Sequence, residues 1–321
     1  MNNMPNSQPS NNTYTIAFYN TENLFDIYND REKHDRDYLP NSTRKWTKKR
    51  YQNKIQKLGV AISKIGKSET HKAPSLIGLA EVENGKVLRD LLNSSSLKDI
   101  PYDFVHFNSK DERGMDVALL YNKADFTVTH SEIFSLIFDR PEGGDDFTRD
   151  VLLVTGMLRG ETISILVNHW ASRREGTQLS EAKRLQTSEK LSSIIQNLKQ
   201  AQPGAKIIVM GDFNDDPNCK SITQLTESNE LFNPMNTLRS FNRGSLVHHL
   251  KWHLFDQIMV STNFFKPDAD HLEFDEANIF DADFLKEYKG KYKGTPFRTY
   301  AGEKHKGGYS DHFPVYITLK K

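Results

Sequence analysis

The sequence predicts an α/β domain of mixed β-sheets with helices packed outside them, spanning residues 13–321. Three observations carry that expectation. Short apolar runs recur along the chain, amphipathic stretches of helical period lie between some of them, and no Pro/Gly/Ser-rich linker divides the middle. At about 150 residues per domain the length alone would favour two domains. The missing linker argues for one.

The elements follow in order. Residues 1–12, MNNMPNSQPSNN, are polar and hold neither a basic nor an apolar segment, so they read as a flexible tail and not as a leader. From Tyr14 onward, TIAFYN, SLIGLAEV, MDVALLYN, VLLVTGML, ISILVNHW, KIIVMGDF, FDQIMVS and FPVYITL read as strands. Most run roughly four to eight residues, are rich in Ile, Val, Leu and aromatics, and are bounded by polar residues, Gly or Pro. Between Thr47 and Ile65, the residues Tyr51, Ile55, Leu58, Ile62 and Ile65 recur at spacings of 4, 3, 4 and 3, which is one apolar helix face. From Ser180 to Leu198, Ala182, Leu185, Leu191, Ile194, Ile195 and Leu198 form a second face, with Ser180 as its N-cap. Val87–Leu92 starts a further helix, and the least regular region runs from Phe264 to Gly308.

Composition narrows the function. Hydrophobic residues are 36% of the chain, but 19 Phe, 12 Tyr and 3 Trp are enough large side chains for a substantial core. The 43 basic and 42 acidic side chains leave a net charge of +1, so attraction to nucleic acid or a membrane must be local. Two local clusters exist. RKWTKKRYQNKIQK, from Arg44, has seven Lys/Arg and no acid, with Trp46 and Tyr51 among them; a second holds seven Lys/Arg between Lys286 and Lys306 against two acids. Each is either solvated surface or a phosphate-backbone contact with stacking aromatics. The lone Cys219 excludes an internal disulfide and a multi-cysteine zinc site. No apolar run approaches the ~18–20 residues that span a bilayer. The expectation is a cytoplasmic monomer without an integral membrane segment.

The chemistry is read from strand ends. Asn20, Glu81, His169, Asp212 with Asn214, and Asp256 sit at or just inside the ends of separate strands, and Ser310–His312 precedes the last one. One such residue is an ordinary turn former. Six at matching places predict a shared polar rim. The chain has no G-x-S-x-G elbow, no P-loop and no G-x-G-x-x-G. Carboxylates with amides form a hard-oxygen site suited to Mg²⁺ or Mn²⁺, and two histidines beside it add acid–base capacity. Together they point to phosphate-ester hydrolysis.

The ordered segments AFYNTENLFD, GLAEVEN, RGMDVALLY, VNHWASRR, VMGDFNDDP, FDQIMVS and YSDHFPV resemble the endonuclease/exonuclease/phosphatase family, in particular its bacterial nuclease-like, pancreatic deoxyribonuclease-like branch. The match runs from Asn20 to His312. It implies a four-layer α/β sandwich of two packed mixed sheets flanked by helices. It also implies roles. Glu81 matches the family's metal-binding Glu, with Glu83 as the alternative ligand because strand alternation puts both on one face. Asn20 supports metal and phosphate, and Asp311 helps with the metal or the attacking water. Asp212 orients or deprotonates that water, and Asn214 holds a phosphate oxygen. His312 pairs with Asp256, which fixes its tautomer. His169 and Arg149 bind phosphate; Arg173 and Arg174 either add phosphate contacts or belong to a solvated loop.

Two decoys are set aside. DFNDDPN imitates a calcium loop at Asp212, Asn214 and Asp216, but Pro217 stands where glycine is needed and Thr223 where glutamate is needed. HHLKWH carries His249 and His253 without the glutamate of a zinc helix, so both read as packing or surface histidines. The expected activity is a Mg²⁺- or Mn²⁺-dependent phosphodiesterase cutting nucleic acid by in-line attack of water. The alternative is a phosphoesterase on a small molecule or lipid.

Overall fold

The computed structural model describes residues 12–139, 143–173, 177–248, 250–266 and 271–321, with backbone alone for 177–179. Residues 1–11 of the expected tail, Arg174 and His249 lie outside the described residues. In chain order the strands of the two main sheets are β1 (Thr13–Leu24), β2 (Leu76–Val82), β3 (Tyr102–His106), β4 (Asp116–Asn122), β5 (Phe126–Phe134), β6 (Val151–Leu158), β7 (Glu161–His169), β8 (Lys206–Asp212), β9 (Leu231–Phe232), β10 (Asp256–Ser261), β11 (Glu273–Ile279) and β12 (Val315–Lys320). The helices are α1 (Lys48–Ile62), α2 (Lys67–Thr70), α3 (Gly85–Leu92), α4 (Thr177–Ala201) and α5 (Lys220–Ser228).

The first six-stranded sheet has the order β11-β12-β1-β2-β4-β3, and the second β9-β10-β8-β7-β6-β5. Each has one parallel pair at its centre, β1 with β2 and β7 with β8, flanked by antiparallel neighbours. A parallel pair needs a long crossover. The first crossover contains α1 and α2, and the second contains α4. The inner faces meet in one core: Ile16 and Phe18 of β1 join Ile208 and Met210 of β8 and Ile258 and Val260 of β10. The alternate residues Ile207 and Val209 face outward and pack beneath Leu191, Ile194 and Ile195 of α4 and Ile222 and Leu225 of α5. On the other side α1 buries Tyr51, Ile55, Leu58 and Ile62, as its spacing predicts, and starts at Thr47, whose hydroxyl accepts from Arg50 N. This is the expected four-layer sandwich. Among the described residues no helix is long and apolar enough to cross a membrane.

Several expectations need correction. Helix α4 begins at Thr177, so Ser180 is not its N-cap but a buried residue inside it. Ala182 is exposed, and the buried face of that first half is polar: Arg184, Thr187 and Ser188. The irregular region contains strand β11, an edge strand that buries only Ile279 fully. The first basic cluster is not a continuous surface track. Trp46 is fully buried, with its indole N–H donated to Phe25 O at 2.9 Å. Tyr51 is buried with its hydroxyl on Asp90 at 2.6 Å, and Lys54 is buried too. Neither ring can stack on a base. Lys48 and Lys49 remain exposed.

One glycine shows how tightly the active rim is built. Gly211 of β8 lies beside Asn168 of β7, and a Cβ there would sit 2.5 Å from the Asn168 carbonyl oxygen. Gly211→Ala is therefore expected to cost about 1–3 kcal/mol, the usual range for overpacking a close-packed interior. Denaturant unfolding measures it, and an unchanged midpoint would disprove the close contact.

Candidate active site

The two parallel pairs end at the same edge of the sandwich, and their last residues carry the polar groups. Asp212 is directly opposite His169 across β7 and β8, and opposite Asp256 across β8 and β10. Three strand ends of one sheet therefore present their side chains at one level. The other sheet contributes Asn20, Glu81 and His312. The sheets are tied across the seam by Asn20 Nδ2, which donates to Asp212 Oδ2 at 3.0 Å, and by His312 Nδ1, which lies 2.6 Å from Asp256 Oδ2. Ser310 of the SDH motif donates its hydroxyl to Asn20 O at 2.7 Å and accepts from His312 N at 3.1 Å, which holds the histidine's segment in place.

A bulge aims the acids. Between Asn20 and Leu24 the register of β1 against β2 shifts, with Glu22 and Asn23 at φ of 52° and 53°; opposite them Glu81 has a φ of 62°. Left-handed conformations are costly for such residues and concentrate at functional sites. Asn214, at φ 51°, is another on this rim. The bulge puts Glu81 Oε2 on Asn23 N at 2.8 Å and turns Oε1 to within 3.9 Å of His169 Nε2. It also separates Glu81 from Glu83. The Glu83 carboxylate turns away to Asp26 N at 2.6 Å, and burial pushes its pKa up to about 8. The rival ligand from strand alternation is thus withdrawn from the rim.

Burial shapes the proton chemistry. Asp212 is buried, and desolvation followed by the nearby Asp256 carboxylate pushes its pKa up to about 7. For His312, burial opposes the charged form, but Asp256 beside it prevails and holds its pKa well above the usual imidazole value. Asp212, Asp256 and His312 place one side-chain atom each within 4.8 Å of one another. Because His312 Nδ1 is taken by Asp256, this trio is a proton-handling network. Asp256 Oδ1 is buried without a hydrogen-bond partner among the described residues, so His312 is the carboxylate's one side-chain hydrogen-bond partner there.

The acids nearby form a second group. Glu22 and Asp311 line one cavity, and Glu81 borders it through Asn23, whose N–H its carboxylate accepts. Glu22 is buried, and desolvation, with Asp311 next, raises its pKa to about 7. Three hard-oxygen anions gathered in this way, with Asn20 beside them, fit a hard divalent cation.

The arginines are arranged differently from expectation. Arg173 donates to Asn214 O at 2.9 Å and to Asp215 Oδ1 at 2.8 Å; its guanidinium buttresses the Asp212–Asn214 loop instead of facing open phosphate space. Arg184 of α4, fully buried, holds the other Asp215 oxygen at 2.7 Å. Arg149 is buried and donates to Trp170 O at 2.9 Å, while its Nε has no partner among the described residues; burial lowers its pKa, and Asp111, ahead of Glu81 and Asp212, acts against that. Asn214 donates to the same Trp170 O at 3.1 Å. Asp216 of the calcium-like loop is consumed by His253 at 2.8 Å, Leu254 N at 2.8 Å and Arg239 at 3.2 Å.

Of the cations nearest the acids, Arg44, Arg298 and Lys54 come from the two basic clusters read in the sequence, whereas the sequence assigns no role to Arg113. A cavity of about 330 Å³ is lined by Glu22, Asn23 and Asp311, and by Arg44, Arg113, Arg298, Tyr38 and Tyr300. Arg298 lies 3.3 Å from Asp311, and Arg44 donates to Tyr38 OH at 2.9 Å. Arg113 forms no ion pair among the described residues; its guanidinium lies 3.4 Å from Met115 Sδ. The buried Lys54 lies beneath, 3.9 Å from Glu22 and donating to Thr299 Oγ1 and Tyr309 O, each at 2.5 Å. Helical spacing could have flagged Lys54, which lies one turn from the buried Leu58 and three residues from Tyr51 on the same face.

The sequence model of the endonuclease/exonuclease/phosphatase family matches residues 15–321. No curated protein is a significant sequence match. Among solved structures, an endonuclease/exonuclease/phosphatase family protein from Bacteroides thetaiotaomicron is similar over 96% of this chain and 94% of its own, with 16% identity and a TM-score of 0.61. A mannosyl-6-phosphatase from the same bacterium is similar over 96% of this chain and 100% of its own, with 16% identity and a TM-score of 0.59. TDP2 from D. rerio, complexed with single strand DNA product, is similar over 96% and 99%, with 14% identity and a TM-score of 0.56. At these identities the likeness is one of fold.

Proposed function

The chain belongs to the endonuclease/exonuclease/phosphatase family, and on that premise we propose that it is a divalent-metal-dependent phosphodiesterase that hydrolyses nucleic acid. The observation that carries the reading is the meeting of two groups at one edge of the sandwich, where Glu81 lies 3.9 Å from His169 and Asp311 4.0 Å from His312. A hydrogen-bonded Asn20–Asp212 and Asp256–His312 network stands beside the Glu22, Glu81 and Asp311 carboxylates, with arginines facing them.

In this reading Glu81, Asn20 and Asp311 hold Mg²⁺ or Mn²⁺. When bound, such an ion supplies Lewis-acid polarisation of the phosphate and neutralises charge on the leaving oxygen. The protein's own residues do the rest. Asp212 orients water through Oδ2 and accepts its proton, for which a pKa raised to about 7 is well placed. The charged His312 faces the developing negative charge, and Asp256 keeps Nδ1–H occupied so that Nε2 points into the site. His169, the Asn214 amide and Arg149 stabilise the phosphoryl oxygens electrostatically. Arg113 and Arg298 hold the substrate's flanking phosphate in the cavity.

A second reading has one observation in its favour. Burial of Trp46, Tyr51 and Lys54 shortens the expected basic track, and a compact cavity of about 330 Å³ with three arginines would also suit a small phosphoester. An activity panel decides between them: supercoiled DNA, single strands, RNA, an inositol phosphate and a sugar phosphate, each with Mg²⁺, Mn²⁺ or chelator. The expected result is cation-dependent cleavage of nucleic acid. Turnover of the small phosphoesters alone would favour the second reading.

The metal assignment has its own test. Manganese titration should raise the thermal midpoint of the protein, because a ligand that binds only the native state stabilises it. Glu81→Gln should shift that titration by roughly tenfold or more, comparable with the loss of a ligand-supporting residue. Full activity in excess chelator would refute the cation requirement.

A further inference from the structure

A second cavity, of about 890 Å³, lies beyond the Asp212–Asn214 loop. It is walled by Pro217 and Asn218, by the turn at Ser240–Asn242, and by the short hairpin that pairs Leu246–His248 with Lys251–His253. Its lining holds two cations, Arg239 and Lys251, and no carboxylate. It also holds two aromatic rings. Phe241 is 99% exposed at the tip of a turn closed by Ser240 N donating to Arg243 O at 3.0 Å. Trp252, half-buried, stacks on Phe313 with an interplanar angle of 20°. Phe313 directly follows His312, and its N–H donates to Ser245 O at 2.6 Å. On the other side Asp216, which holds Arg239, belongs to the loop that carries Asp212 and Asn214. The groove and the catalytic rim therefore share two pieces of chain.

We propose that this groove holds the single-stranded nucleic acid flanking the scissile phosphate, with bases on Phe241 and Trp252 and phosphates on Lys251 and Arg239. The inference rests on the reading above. An exposed ring such as Phe241 gains only when something flat covers it, and every nucleobase has a face for it. Lys251 is exposed and forms no ion pair among the described residues, and Arg239 is held in place by Asp216 at 3.2 Å; both suit the backbone that joins successive bases. A duplex keeps its base faces stacked and cannot offer them to these rings. The asparagines Asn218 and Asn242 add amide edges, which match bases and not lipid chains.

Tryptophan fluorescence provides the test. Trp46 and Trp170 are fully buried, so Trp252 is the one indole a ligand can reach. Titrating the full chain in chelator with an oligothymidylate of about a dozen nucleotides should quench it saturably, with no cleavage to complicate the signal. Phe241→Ala removes a ring that packs on nothing, so folding is preserved, and Kd should rise about tenfold or more. Lys251→Gln should reduce the salt slope by about one unit. Both variants should hydrolyse bis(p-nitrophenyl) phosphate at the wild-type rate. No quenching, or a Kd indifferent to Phe241, overturns the proposal. So does Phe241-dependent binding to phosphatidylserine vesicles without oligonucleotide binding, which would assign the groove to a membrane surface. Phe241-dependent oligonucleotide binding by a protein that hydrolyses no phosphodiester would support the groove and defeat the proposed activity.

Discussion

Asp256→Asn is expected to lower kcat by ~10²–10⁴-fold, the range seen when a catalytic imidazole loses its orienting carboxylate. Asp256 is fully buried, and its Oδ2 is 2.6 Å from His312 Nδ1. An amide there offers the ring a donor or a neutral acceptor in place of an anion. The tautomer that points Nε2–H into the site is then no longer enforced, and burial acts against the charged form with Asp212 and Asp311 alone left to oppose it. The sign of the pH effect follows. In the wild type, the raised His312 pKa keeps the imidazolium charged until pH climbs through that raised value. The alkaline limb of kcat should therefore move to lower pH in Asp256→Asn. Stability follows the same linkage. The pair stabilises the fold fully below the unfolded histidine pKa of about 6.5, and the contribution is lost as pH rises through the folded value. The variant's deficit should be largest in acid and shrink in alkali. A variant with wild-type kcat and an unmoved alkaline limb would remove His312 from the proposed chemistry.

Asp212→Asn should lower kcat by at least ~10²-fold, since an amide cannot take the proton from water. Its effect on stability should run the opposite way. The folded pKa of Asp212 is raised to about 7 by burial. A carboxyl raised in the folded state contributes stability present below its unfolded pKa of about 3.9, and that contribution is lost as pH rises toward about 7. Asn does not titrate. Relative to the wild type, Asp212→Asn should therefore become steadily more stable between pH ~4 and ~8. Parallel thermal scans at several pH values measure this difference. A constant offset between the two proteins would show that burial does not strain the carboxylate.

The central strands were legible because both of their faces are buried. All seven residues of β8 and all six of β10 are buried, so an apolar run is visible without any period. The edge strands β3, β5 and β11 were not. Phe126–Phe134 buries only Phe126 fully and carries His130 and Glu132, and Glu273–Ile279 carries three acids. Charged edge strands resist pairing with other chains, and the same charges hide them from a search for hydrophobic runs. In the site, Asn20, Glu81, His169, Asp212, Asp256 and His312 were readable as strand-end residues, and the structure brings them together. Arg173 was misjudged because a guanidinium next to a matched histidine suggests phosphate, while its partner Asp215 lies distant in sequence. Lys54, read with its cluster as solvated surface or a phosphate contact, is buried on Glu22, and nothing in the sequence singled out Arg184, which is buried on Asp215. A buried cation is recognised by the anion it meets, and neither Asp215 nor Glu22 is a sequence neighbour.

The seam between the sheets has a consequence for how the protein is made. Asn20 reaches Asp212, and His312 reaches Asp256, only once each sheet has docked on the other. Neither half carries a complete catalytic set. Contacts this distant in sequence form late, because long loops must close before they are rewarded. A chain still on the ribosome before Ser310 emerges lacks both the imidazole and the hydroxyl that secures Asn20. The complete set of site residues is assembled in one step, with the last strand, and a copy truncated before Ser310 lacks it.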